Sequence, residues 1–219
     1  NDKSAQIAGK RLLGEGVPDA DRPRSPPVKG LHDIFEAKNV WHHESFWLMQ
    51  SADNEDELKA LLHRVDERLA DLRSFLLPPE WDDVKPGLVE QGVQPPRYRG
   101  QRGPCTFATS VYGPENLLFL LMDNVNLAER FRDTILRAML GRAAVLDEEG
   151  GWTPDADWGH GFSFMDDNCA LLSPDMYEMF GYPILKALFE KYAPKPEHRR
   201  FQHSDSAMEH LLGELASTG

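Results

Sequence analysis

Cysteine is scarce in this chain: Cys105 and Cys169 are the two thiols among 219 residues. They form no CxxC pair and lie far apart in sequence, which excludes a disulfide-stapled scaffold and suits a reducing cytoplasm. Long apolar runs are missing too. Leu117 to Met122 is the longest, far below the roughly 18 residues of a membrane span, and no signal-peptide pattern is visible. Basic charge is in deficit: 24 Lys and Arg face 36 Asp and Glu, a formal net charge of −12. Such a field repels nucleic acid and anionic membrane. Walker A, GxGxxG, GxSxG, HExxH and zinc-finger spacings are absent, and the chemistries they serve lose their support.

What is present is patterned. Residues 1–30 carry Pro18, Pro23, Pro26 and Pro27 with Gly14, Gly16 and Gly30, so an extended arm is predicted there. Between 54 and 77, Leu58, Leu61, Leu62, Val65, Leu69, Leu72 and Leu76 recur at helical steps. Asp53 or Asn54 can cap that helix, and Pro78 and Pro79 end it. Further helices are predicted at 114–122, at 126–146, from Ser173-Pro174 through Phe189 with a kink at Pro183, and at 206–216. Strands are predicted at Cys105 to Tyr112, Gly161 to Asp166 and Arg199 to Asp205. Strands alternating with helices imply an α/β fold with a mostly parallel sheet.

In such folds reactive residues gather at the carboxyl ends of strands. His203 and Asp205, two apart on a strand, face the same side, with Phe201 as an apolar layer beneath. An imidazole beside a carboxylate can hold a divalent metal or move a proton, although zinc takes three protein ligands and an open position. In the alternative, Asp205 or Ser206 caps the next helix and His203 is a satisfied buried histidine. Asp166 and Asp167 leave another strand end on opposite faces, so one of them would reach the mouth. Arg97, Arg99 and Arg102 form a basic island able to grip a carboxylate or phosphate. Trp41-His42-His43-Glu44 holds three potential metal ligands whose side chains diverge; it is predicted as a strand end or loop, with His42 and Glu44 at the rim of the mouth.

Three segments in order, Arg102-Gly103-Pro104-Cys105-Thr106-Phe107-Ala108 before Gly113, Asp166-Asp167 before Leu172-Ser173-Pro174 with Tyr177, Phe180, Pro183 and Lys186, and His203-Ser204-Asp205, resemble the uroporphyrinogen decarboxylase superfamily. The resemblance covers residues 95–216 well and the first ninety poorly. It implies a (β/α)8 TIM-barrel type over 31–219, incomplete because the carboxyl-terminal strands are missing. Exposed sheet edges would then call for a completing partner or a homo-oligomer.

The resemblance also implies chemistry. One branch decarboxylates an anionic tetrapyrrole without a cofactor; another transfers methyl groups with zinc and a corrinoid co-substrate on a carrier protein. By that resemblance Asp166, Asp167 and His203 are catalytic, and Arg97, Arg99, Arg102 and Tyr177 bind substrate. His203 and Asp205 are the metal ligands, with Asp205 standing where methyltransferases have cysteine, which shifts the site toward harder N/O ligation. Metal-assisted methyl transfer in a cytoplasmic enzyme is the leading expectation, decarboxylation the alternative, and a non-catalytic barrel that binds a partner the third.

Overall fold

Local signals account for most of the helices. The structure, a computed structural model, describes residues 6–7, 24–42, 45–93, 97–152 and 160–218. Helix α1 (Leu31–Ile34) leads into an antiparallel hairpin, β1 (Asn39–His42) and β2 (Ser45–Leu48). The leucine stripe then folds as α2 (Glu55–Ala70) and α3 (Leu72–Leu76), interrupted at Asp71. Asn54 caps α2 by accepting from the Glu57 N–H at 3.0 Å, and the Glu57 carboxylate accepts from the Asp53 N–H in return. Next come α4 (Trp81–Glu90), β3 (Gly100–Arg102), α5 (Pro104–Tyr112), α6 (Pro114–Asp123) and the long α7 (Val125–Gly150). The carboxyl-terminal part holds β4 (Phe162–Met165), a 3-10 turn (Asp167–Leu171), α8 (Pro174–Met179), α9 (Gly181–Tyr192), β5 (Arg200–His203), a second 3-10 turn (Glu209–Leu211) and α10 (Leu212–Ala216).

Helix α7 is the centre of the core. Phe131, Ile135, Ala138 and Met139 are fully buried where it packs against α1, α2, α3, α6 and α9. Phe131, Ile135 and Met139 each contribute about 2 kcal/mol by leaving water. Strands β3, β4 and β5 form one parallel sheet in that order, with Gly100, Ser163 and Phe201 in one row and Arg102, Met165 and His203 in the next. Phe162 and Phe164 point to the helical side, against Tyr192 and Phe189 of α9. The alternate positions lie on the other face, where Met165 is 44% and Phe201 37% exposed. One face of the sheet is covered by helices and the other is open.

Several expectations change. The molecule is mixed α/β, but among the described residues the sheets are small and no (β/α)8 barrel closes. Cys105 to Tyr112 is a helix, not a strand. Its Thr, Phe, Val and Tyr favour strands by propensity, yet Pro104 suits a first helical turn and Phe107, Ala108 and Val111 bury one helical face. Pro183 does not kink its helix. The break falls at Phe180, and Pro183 sits in the first turn of α9, where an N–H has no intrahelical partner to lose. The helix predicted at 206–216 starts later, and neither Asp205 nor Ser206 caps it. Helix α4 forms even though Pro86 lies inside it. The predicted arm lies mostly outside the described residues; 24–30 carry no helix or strand. No helix among the described residues is long and apolar enough to cross a membrane.

Candidate functional site

The three parallel strands end together, and their carboxyl ends bring Arg102, Asp166, Asp167, His203 and Asp205 to one edge. His203 closes β5 with its side chain 48% exposed, and its Nε2 lies 3.2 Å from Oδ1 of Asp205, which is 86% exposed. The Phe201 ring lies nearly parallel to the imidazole, centroids 6.5 Å apart, as two residues on one strand face require. Asp167 ties this turn to β4, its Oδ1 accepting from the Asp205 N–H at 2.7 Å. Arg102 stands two strands away on the same row, about 10 Å from His203 at ordinary strand spacing.

Asp166 does something different. It is fully buried, and its carboxylate accepts from the Thr106 N–H at 2.6 Å and the Cys105 N–H at 3.3 Å. Those are the second and third residues of α5, whose own cap position is Gly103 with no side chain to offer. Asp166 therefore caps a helix from a neighbouring strand. Burial pushes its carboxyl up to about 6, while the two N–H donors pull the other way. It faces helix α5 rather than the solvent of the predicted mouth, and Asp167 is the member of the pair that reaches the His203–Asp205 turn.

The basic island divides. Arg97 lies over the Trp152 ring, and Arg99 pairs with Asp147 at 2.9 Å while stacking on Tyr192, both before the amino end of β3. Arg102 alone of the three reaches the carboxyl edge. Tyr177 is buried beneath the sheet, its hydroxyl 3.4 Å from Gln202 Oε1, and burial raises its hydroxyl well above the ordinary tyrosine range. A substrate at the edge does not reach it. His42 lies in the hairpin strand β1, and Glu44 falls outside the described residues.

Other residues belong to the edge that the sequence pattern did not single out. Phe46, Trp47, Thr106, Ser110 and Asn168 line, with Arg102, an open cavity of about 290 Å³. Thr106 and Ser110 are one turn apart on α5 and were hidden by the strand expectation there. Their juxtaposition with the hairpin is tertiary and leaves no mark in the local sequence.

The 3.2 Å His203–Asp205 separation is that of an ion pair, and a zinc site would need a third protein ligand beside them. Among the described residues, however, no group of three or more His, Cys, Asp or Glu side chains converges. Both thiols are buried: Cys169 donates to the Asp166 carbonyl, and Cys105 packs against Gly181. No family model, curated protein or solved structure matches the chain.

Proposed function

We propose that the carboxyl edge of the β3–β4–β5 sheet is the reaction site of an enzyme of the uroporphyrinogen decarboxylase superfamily, acting on an anionic small molecule by proton transfer. The observation that carries this reading is the His203–Asp205 pair, in contact at 3.2 Å and open to solvent, with His203 on the row that also holds Arg102. Three parallel strands with helices on one face and an open face opposite also suit a segment of a barrel wall, the open face being its interior.

The chemistry follows from these groups. Arg102 holds an anionic arm of the substrate and sets its orientation. Asp205 orients the imidazole. Breaking the bond between carbon and a departing carboxylate leaves the electron pair on carbon and releases carbon dioxide. The His203 imidazolium donates its proton to that carbon, and the half-exposed ring is reprotonated from water.

Incubation of the full chain with uroporphyrinogen, with chromatography of the products, tests the reading. Carboxylate loss that His203→Ala abolishes supports it; no carboxylate loss from the wild-type chain overturns it. A second reading, methyl transfer with a corrinoid co-substrate and a metal held in part by His203 and Asp205, draws on their being an imidazole and a carboxylate, two donor types that zinc accepts. Metal analysis of the purified chain with and without His203→Ala decides it, and unchanged stoichiometry removes it.

A further inference from the structure

We propose that His160 and His198 form a proton-operated latch, which closes the amino ends of β4 and β5 while His198 is neutral and releases them when it takes a proton. The latch lies at the opposite end of β5 from His203 and does not rest on the proposed function.

The first argument is how the chain brings the two rings together. Phe162 of β4 is the register partner of Arg200 of β5, and two positions back along each segment stand His160 and His198. Parallel strands run about 4.8 Å apart, so side chains on one row meet side by side. The two imidazoles lie within 3° of parallel, their centroids 4.1 Å apart. The backbone next to them is fixed. Gly161, at φ 105°, donates its N–H to the Tyr192 carbonyl, and a Cβ there would fall 2.8 Å from the Arg199 carbonyl oxygen. Each ring nitrogen's lone pair lies in its own ring plane, so two parallel rings do not aim at one metal ion. The arrangement is a stack and not a chelate.

The second argument is where a proton would go. Lys195-Pro196-Glu197-His198 is a turn with proline at its second position, closed by the His198 N–H to the Lys195 carbonyl at 3.0 Å. In return the Lys195 N–H donates to His198 Nδ1 at 3.3 Å. Nδ1 therefore presents a lone pair, and the proton of the neutral ring sits on Nε2. A further proton goes to Nδ1, where it turns the acceptor into a donor facing the Lys195 N–H. The turn then loses one of its two bonds, and the new charge lies against the His160 ring.

The third argument is the surroundings. Lys195 and Glu197 belong to the turn itself, and Arg199 and Arg200 follow it into β5. Tyr192 at the end of α9 stays neutral, since burial pushes its hydroxyl up to about 12, and beyond it Arg99 is paired with Asp147. Among the described residues, Glu197 favours the charged ring, whereas partial burial, His160, Lys195 and Arg200 disfavour it. The balance holds His198 below its ordinary value of 6.5. The native chain thus binds fewer protons here than the unfolded one. What the latch contributes is present above 6.5 and is lost as pH falls through the folded value.

Hydrogen exchange of the full chain by NMR, with the histidine rings titrated in the same samples, tests the latch. The Phe162 N–H, bonded to the Arg199 carbonyl at 3.0 Å, and the Gly161 N–H report on the amino end. Their protection, corrected for intrinsic exchange, should fall about tenfold or more from about pH 7.5 to about pH 5.5. The Ser163 N–H, bonded to the Arg99 carbonyl on the other side of β4, should change little. His198→Asn puts an amide oxygen that cannot titrate where Nδ1 accepts, and should keep protection level across the range. His160→Phe keeps a flat ring in the stack without a proton, and should raise the His198 midpoint. Both positions lie outside the buried core, so neither substitution threatens folding. Protection that stays flat in the wild-type chain, a His198→Asn variant that still loses it, or a His198 midpoint that His160→Phe leaves unmoved overturns the latch.

Discussion

Gly103 and Asp166 are packed so closely that a Cβ on the glycine would fall inside the van der Waals surface of the Asp166 Cβ. The glycine leaves α5 without a side-chain cap and at the same time clears the space through which Asp166 supplies one. The obstruction is near the Asp166 backbone rather than at the tip of a flexible side chain, so relief requires β4 or α5 to move. Gly103→Ala should therefore cost about 2–4 kcal/mol, the range of overpacking plus a lost cap, read as a lower denaturation midpoint with an unchanged m-value.

Asp166 should also mark the pH dependence of stability. Its pKa is raised in the folded chain to about 6 from 3.8, so between those values the native state retains a proton that the unfolded chain has released. The contribution is fully present below the unfolded value and is lost as pH rises through the folded one. Thermal unfolding followed from pH 4 to 7 should show this decline, worth on the order of 2–3 kcal/mol, and Asp166→Asn should flatten it. A variant that tracks the wild-type chain across the window rules the assignment out.

Glu149 acts with the opposite sign. Its carboxylate is 4% exposed and accepts from Arg73 at 2.7 Å, Lys85 at 2.8 Å and the Trp81 indole at 2.7 Å. Burial raises its pKa, but these donors outweigh burial and hold it down at about 2. The stability it adds is present above the unfolded value near 4.5 and is lost as pH falls through about 2. Glu149→Gln should cost about 2 kcal/mol at neutral pH and make the acid limb of the unfolding curve shallower. Equal loss of stability at pH 3 and pH 7 would contradict this.

The thiols should be silent in the native chain. Cys105 and Cys169 are buried, and burial pushes Cys169 up to about 12 and Cys105 well above the ordinary thiol range. Thiolate is the reactive form, so a disulfide-exchange reagent should find both cysteines only as fast as the chain opens. Labelling of either at the rate of an exposed thiol in native buffer would show the burial to be wrong.

How much of this was legible beforehand follows from the range of each interaction. The α2 leucines, the Asn54 cap and the Ser173-Pro174 helix start are settled within a few residues, and the sequence predicts them. The pairing of His203 with Asp205 is equally local, spanning two positions, although β5 ends at His203 and the bend that follows, rather than strand alternation, carries Asp205 back to the imidazole. The Cys105–Tyr112 segment folds as a helix because its strand propensity is a local preference that the packing of Phe107, Ala108 and Val111 overrides.

By itself, then, the sequence determined the helices with their caps and apolar stripes, and the side-by-side placement of one imidazole and one carboxylate. Tertiary structure alone decided that Asp166 would be spent on capping α5, that Arg97 and Arg99 would lie at the far edge from Arg102, and that a distant hairpin would wall a cavity beside it. Periodicity and capping act over one or two turns, whereas burial, sheet order and the proximity of residues some sixty positions apart exist only once the chain has closed on itself.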